Sequence, residues 1–240
     1  MGEVFAVVSG KGGTGKTTLC AAIGSCMAAE GLRVLCIDAD LGLRNLDIAL
    51  GMTELAAIPF TEVLRGAYSM EEIPEHPKIP GLFLLTAPVT ERPEDIEDLP
   101  AFLDRVRDAF DCCLIDSPAG IGAGFRLASA HADRILVIAG CDPASLRDAA
   151  SVSTLLGGKS ARLIVNRVIP KRFSQMHTTV DDIIDGTGLQ LLGLVPEDAT
   201  VPLSAARGNA LVLCGGKKAA KACLNIARRL RGRTVPLMKL

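Results

Sequence analysis

The chain has 240 residues, of which 49% are hydrophobic and 22% charged, with a formal net charge of -1. That length suits one large α/β domain, and the near-neutral balance gives no sign of a nucleic-acid partner. Aromatic residues make up 3% and Trp is absent, so Val, Ile, Leu and Ala must build the core, which suits a parallel sheet covered by helices.

The first element is the apolar run VFAVVS (Val4 to Ser9), a buried strand leading into a glycine loop. The segment from Lys16 to Glu30 is rich in helix formers and meets Gly31, a fitting C-cap. RVLCIDAD is a second strand that ends in carboxylates, and GLFLLTAP is a third. PEDIEDLPAFLDRVRDAF reads as helix, with Pro100 expected to break it in two. DCCLIDSPAG is a strand running into a loop, and DRILVIAG is another strand. Asp142 is placed to cap the next helix, with Pro143 at its first position. ARLIVNRV and LQLLGLVPED complete the strands, and a last helix spans about 217–231. VIPKRFSQMHTT, the most irregular polar stretch, reads as a surface loop. Strands alternating with helices predict a doubly wound, mostly parallel α/β sheet flanked by helices, in a single domain over 1–240.

Eight cysteines sit mainly in apolar runs, without CxxC pairs. That spacing predicts small buried side chains rather than a metal or disulfide framework, and a reduced, cytoplasmic setting. No apolar run approaches the roughly 20 residues of a membrane span. Glu3 precedes a short strand, so no signal peptide is expected.

The chemistry concentrates in SGKGGTGKTTL. Gly10, Gly15, Lys16 and Thr17 satisfy G-x-x-x-x-G-K-[ST] between a strand and a helix. Such a loop, here Gly10, Lys11, Gly12, Gly13, Thr14, Gly15 and Lys16 with Thr17 and Thr18, wraps a phosphate in backbone N–H groups. Lys16 is placed for the β- and γ-phosphates of ATP, and Thr17 for Mg²⁺. Lys11 has no role in that scheme. At the loop's mouth, in two copies placed face to face, it would reach the other copy's nucleotide.

Three carboxylates at strand ends complete the candidate site. Asp40 is the candidate for positioning the attacking water, Asp38 for assisting near Mg²⁺, and Asp116 for holding Mg²⁺. Gly120 could offer its N–H to the γ-phosphate, making its loop a switch. Asn166, followed by Arg167, ends a later strand and can both donate to and accept from adenine. Pro196, Glu197 and Asp198 would frame the same base.

KGGTGKTT (Lys11 to Thr18) resembles the deviant Walker A motif of the MinD/ParA ATPases, P-loop NTPases of the SIMIBI type. That resemblance implies an ATP-dependent sandwich dimer with Lys11 crossing the interface. DADLGLRNLDIALG, DSPAGIGAGF, HADRILVIAGCDPASLRDA and VPEDATVPLSAARGNAL are similar to segments of the division-site branch of that family, MinD. The likeness, over nearly the whole chain, implies an ATPase that regulates division-site placement. Its partners would be a MinC-like inhibitor, an activator of slow hydrolysis and a membrane surface. Arg44, Leu46, Arg147 and Asp148 fall in the matching partner-binding segments. The family's usual C-terminal amphipathic anchor is not evident. The basic segment 217–240 has a modest apolar face (Ala219, Ala220, Cys223, Ile226, Leu230) that suits packing on the sheet better than a bilayer. Two alternatives stand beside this reading. One is a ParA-like role in DNA segregation, since 208–240 carries basic and no acidic residues. The other is a nucleotide-gated scaffold with little turnover.

Overall fold

The computed structural model describes residues 1–41, 43–90, 96–175, 179–215 and 218–238. Seven strands, β1 (Glu3–Val8), β2 (Val34–Asp38), β3 (Leu82–Leu85), β4 (Cys112–Asp116), β5 (Arg134–Ala139), β6 (Ala161–Val168) and β7 (Gln190–Pro196), form one sheet in the order β3-β2-β4-β1-β5-β6-β7. Every neighbouring pair is parallel. Their apolar composition follows from burial on both faces, which parallel crossovers impose.

Side chains alternate between two core layers. Phe5 and Val7 of β1 face one layer, with Leu19, Ile23 and Met27 of α1 (Lys16–Ala29). Val4, Ala6 and Val8 face the other, with Phe102 and Val106 of α4 (Leu99–Ala109). Between α1 and α4 lie the five-residue helices α2 (Leu46–Leu50) and α3 (Phe60–Leu64). Next come α5 (Ala123–Ala130), α6 (Pro143–Leu156), α7 (Pro170–Gln175) and α8 (Val180–Thr187). The chain closes with α9 (Thr200–Ala206) and α10 (Ala219–Leu230).

Two local expectations are corrected. Pro100 does not split a helix. It sits in the first turn of α4, where the amide it lacks would have no helical partner anyway. Residues 96–98 precede that helix, with Asp98 left-handed at φ 56°, and 93–95 lie outside the described residues. The stretch read as a surface loop contains α7, which begins on Pro170 for the same reason; residues 176–178 are not described.

Cys20, Cys26, Cys36, Cys112, Cys113 and Cys223 are buried free thiols, whereas Cys214 is exposed. Burial pushes the Cys26 thiol up to about 12 and keeps it inert. Helix α10 buries Ala219, Ala222, Cys223, Ile226, Ala227 and Leu230 in the α1 layer. Arg229 then donates to the carbonyls of Leu192, Val235 and Pro236 and ties the following tail to β7. The apolar face of α10 is thus occupied by the sheet. Lys217, expected to open this helix, and residues 239–240 are outside the described residues.

Candidate functional site

The carboxyl ends of β2, β4 and β1 meet where α1 begins. The loop 9–15 needs left-handed backbone at Gly13 (φ 76°) and Gly15 (φ 88°). At Gly15 a Cβ would also lie 2.3 Å from Nδ2 of Asn166. That amide donates to the Thr14 carbonyl at 2.8 Å, so Asn166 braces the loop from β6 and keeps its own carbonyl oxygen as an acceptor.

Lys16 Nζ donates to Asp116 Oδ1 at 2.8 Å, with 7% and 1% of the two side chains exposed. Burial raises the Asp116 pKa, and the Lys16 ammonium opposes that rise. The Thr17 hydroxyl faces the same carboxylate. Asp116 Oδ2 and the Thr14 hydroxyl are buried without hydrogen-bond partners among the described residues. Buried polar atoms are normally satisfied, so this donor set fits a phosphate and a hard cation that prefers oxygen ligands.

Asp38 pairs in register with Asp116. Its Oδ1 accepts the Asp40 amide at 3.0 Å, and its Oδ2 accepts those of Asn45 (3.2 Å) and Leu46 (3.1 Å). Burial raises its pKa to about 6. The carboxylate therefore organises the loop that carries Asp40. Asp40 is half-buried; burial raises its pKa and the charge of Lys16 opposes the rise. Gly120 (φ 86°) donates its N–H to the Ser9 carbonyl at 3.1 Å, so the loop after β4 lies against the first residue of the phosphate loop.

Lys11 points away from the loop it belongs to. Its Nζ stands 3.3 Å from Asp142 Oδ1, with 40% and 55% of the side chains exposed. Asp142 also caps α6, accepting from the Ser145 amide. Lys11, Gly12, Gly13, Asp142, Arg167 and Glu197 border an open cavity of about 490 Å³.

On the other side of Asn166 lies a cavity of about 200 Å³ lined by Gly15, Thr18, Asn166, Arg167, Pro196 and Glu197. Arg167 is left-handed at φ 55°, beside a register shift between β6 and β7. Asp198 also lines this cavity, but its carboxylate is committed. It accepts from the amide and hydroxyl of Thr200 and from the Ala219 amide, and so fastens α9 and α10. Asp198, expected to frame the base, thus lines that cavity while its carboxylate serves as a cap. Ala49, Val201 and Ala205 line the same cavity; small apolar residues carry no motif, and sequence reasoning missed them.

The partner-binding candidates separate. Arg147 is exposed, and Arg44 pairs with Asp47 at 3.1 Å. Asp148 packs on the phosphate loop, where a Cβ on Gly10 would lie 2.7 Å from its own Cβ. Leu46 is corrected: it is fully buried in the α1 layer and offers nothing to a partner. Alternation along α2 turns Leu46 and Leu50 inward and leaves Ile48 exposed.

A phosphate loop closing a parallel sheet, with a buried lysine–aspartate pair at its floor, defines a P-loop nucleotide-binding domain. Residues 5–212 match the family model described as the CobQ/CobB/MinD/ParA nucleotide binding domain. The chain belongs to that MinD/ParA family. It is 37% identical to the septum site-determining protein MinD of Thermotoga maritima, over 99% of this chain and 91% of that protein. It also superposes on MinD from the MinC:MinD cell division complex of Aquifex aeolicus with a TM-score of 0.89, at 34% identity over 99% and 98% of the two chains. A further neighbour is the septum site-determining protein MinD of Pyrococcus horikoshii complexed with Mg-ADP, with a TM-score of 0.83 and 26% identity over 96% of each chain.

Proposed function

We propose that this chain is a MinD-like ATPase, which binds Mg-ATP, dimerises and regulates the placement of the division site. The observation that carries the reading is the buried Lys16–Asp116 pair, with Asp116 Oδ2 and the Thr14 hydroxyl unpartnered beside it among the described residues. Thr17 and Asp116 would hold magnesium, with Asp38 behind them fixing the loop. When bound, the ion neutralises charge on the β- and γ-phosphate oxygens.

The remaining work falls to the chain's own groups. Lys16 holds the phosphates in a site with little water, where its charge is strongest. Asp40, whose raised pKa makes it a better proton acceptor, orients the attacking water and takes its proton. Gly120 transfers its N–H from Ser9 to the γ-phosphate. Asn166 reads adenine through its free carbonyl, with Arg167, Pro196 and Glu197 around the base. Lys11 leaves Asp142 and reaches the nucleotide of a second copy, so ATP and the dimer stabilise each other. Hydrolysis is slow until an activator engages the dimer.

A MinC-like inhibitor is the expected partner, and Arg44, Arg147 and the edge of Asp148 are candidates for its contact. Among the described residues no helix is long and apolar enough to cross a membrane. A membrane-surface role therefore has to rest on residues other than the buried face of α10. DNA segregation is disfavoured because part of the basic C-terminal segment is already engaged: Arg228 and Arg233 pair with Glu30, and Arg229 with backbone carbonyls.

The deciding experiment compares the wild type with Asp40→Ala. The variant is expected to bind ATP and dimerise with no turnover. Normal turnover would remove Asp40 from the mechanism, and failure of the wild type to hydrolyse ATP would favour the scaffold reading. Co-sedimentation with anionic liposomes in ATP and in ADP tests membrane-surface binding directly; pelleting that ignores the nucleotide counts against it.

A further inference from the structure

Thr86 follows β3 and is 3% exposed, yet its hydroxyl has no hydrogen-bond partner among the described residues. Its backbone is satisfied, donating to Ile58 and accepting from Phe60. The orphan atom is therefore the side-chain oxygen alone; the buried hydroxyls of Ser25, Ser129 and Thr187 donate to carbonyls, and that of Thr14, in the phosphate loop, shares the lack of a partner among the described residues. An unmade hydrogen bond in a buried position is costly. A buried group without a partner calls for an explanation, and a role in catalysis is one.

Its position follows from register. Ile37 and Leu85 are the last pair of the β2–β3 ladder, and Thr86, one residue on, bridges Pro59 through its backbone; Asp38 and Thr86 are thus the next residues at two neighbouring strand ends. Leu84 lies in the α1 layer and Leu85 in the opposite one, so alternation turns Thr86 to the α1 side. By the same count Cys36 and Leu114 place Asp38 and Asp116 on that side too. Thr86, Asp38 and Asp116 thus form a row of buried polar side chains across three strand ends, continued by Lys16.

A carboxylate offers about four acceptor sites. Asp38 uses one on Oδ1 for the Asp40 amide and two on Oδ2 for Asn45 and Leu46. One site on Oδ1 stays open. Adjacent strands stand about 4.8 Å apart, so a turn about χ1 brings the Thr86 hydroxyl within reach of it. The amide that Asp38 now holds belongs to Asp40, the residue proposed to orient water. Any shift of Asp40 toward that water loosens the amide and would leave the buried Asp38 carboxylate short of a donor.

We propose that Thr86 is a positioning residue for ATP hydrolysis: its hydroxyl is the reserve donor that takes over Asp38 Oδ1 when the Asp40 amide lets go, and so holds the loop that carries Asp40 in place. This rests on the hydrolytic reading of Asp40. The test uses the full chain with Thr86→Val, which keeps the shape and removes the hydroxyl, and Thr86→Ser, which restores it. Thr86→Val is expected to melt no lower than the wild type, keep its KM for ATP within about twofold and lose about fivefold in kcat. Thr86→Ser is expected to recover kcat. Unchanged kcat in the valine variant, an equally slow serine variant, or a valine variant that melts lower in step with its lost activity each overturns the proposal. Wild-type turnover with an unaffected valine variant removes Thr86 alone, whereas absence of wild-type turnover removes the hydrolytic reading and Thr86 with it. Hydrogen exchange of the 40–46 amides in ATP gives a second reading: faster in Thr86→Val and normal in Thr86→Ser is expected, and equal rates in both overturn it.

Discussion

The phosphate loop contains two lysines five positions apart, each paired with an aspartate, and the two pairs are physically opposite. Lys16 and Asp116 meet at 2.8 Å with almost no exposure, whereas Lys11 and Asp142 meet at 3.3 Å in solvent. Breaking a buried pair from one side strands a charge in low dielectric. Breaking an exposed pair gives up little, because water and salt already screen it. One loop thus holds a fixed cation and a releasable one. Under the proposed function the fixed cation serves the chain's own nucleotide. The releasable one is free to change partners, which a dimer with a shared active site needs.

The largest expected effect breaks the fixed pair. Lys16→Ala leaves Asp116 buried and unpaired, which should cost about 3–5 kcal/mol and lower the melting temperature by about 10 °C. ATP binding by calorimetry should be abolished. Retained affinity would refute the phosphate-loop assignment.

Next in size is the releasable pair. Lys11→Ala should change stability by less than about 1 kcal/mol, since its pair is exposed, and ATP should still bind. ATP-dependent dimerisation should fail in sedimentation, and turnover should drop by about a hundredfold or more, as for other cations supplied across an interface. A marked fall in melting temperature would show that the two lysines are alike after all.

A smaller effect comes from untying Lys11. Asp142→Asn keeps the α6 cap, because Asn serves nearly as well there, but removes the charge that holds Lys11. Tighter ATP-dependent dimerisation, by about two- to fivefold, is expected. Weaker dimerisation would mean that Asp142 itself serves the interface. Salt sharpens the same contrast by the least. Raising the ionic strength to about 0.5 M should shrink the difference between wild type and Asp142→Asn, and leave the melting temperature set by Lys16 and Asp116 nearly unmoved.

Legibility followed the range of each interaction. The glycine loop, the strand-end carboxylates and the cap at Asp142 are written within a few residues, and reading them needed only spacing and residue type. Their partners are distant. Lys16 and Asp116 are 100 positions apart, Lys11 and Asp142 are 131, and Asn166 and Thr14 are 152. Asp198 follows the last strand and is placed to frame the base, and only the arrival of Ala219 at its carboxylate made it a cap as well. Leu46 sat in a segment resembling a partner surface, but the helix phase that buries it is fixed by contact with α1.

By itself the sequence determined the alternating parallel architecture, the nucleotide loop and the carboxylates that end its neighbouring strands, because period, composition and turn chemistry act locally. The tertiary structure decided which groups are spoken for and which are left over. It gave Asp38 to its own loop and α10 to the sheet, let Lys11 rest on Asp142, and left the Thr86 hydroxyl and one oxygen of Asp116 without a partner among the described residues. The physical reason is that hydrogen-bond satisfaction and burial are properties of the assembled surroundings, and no residue type carries them alone.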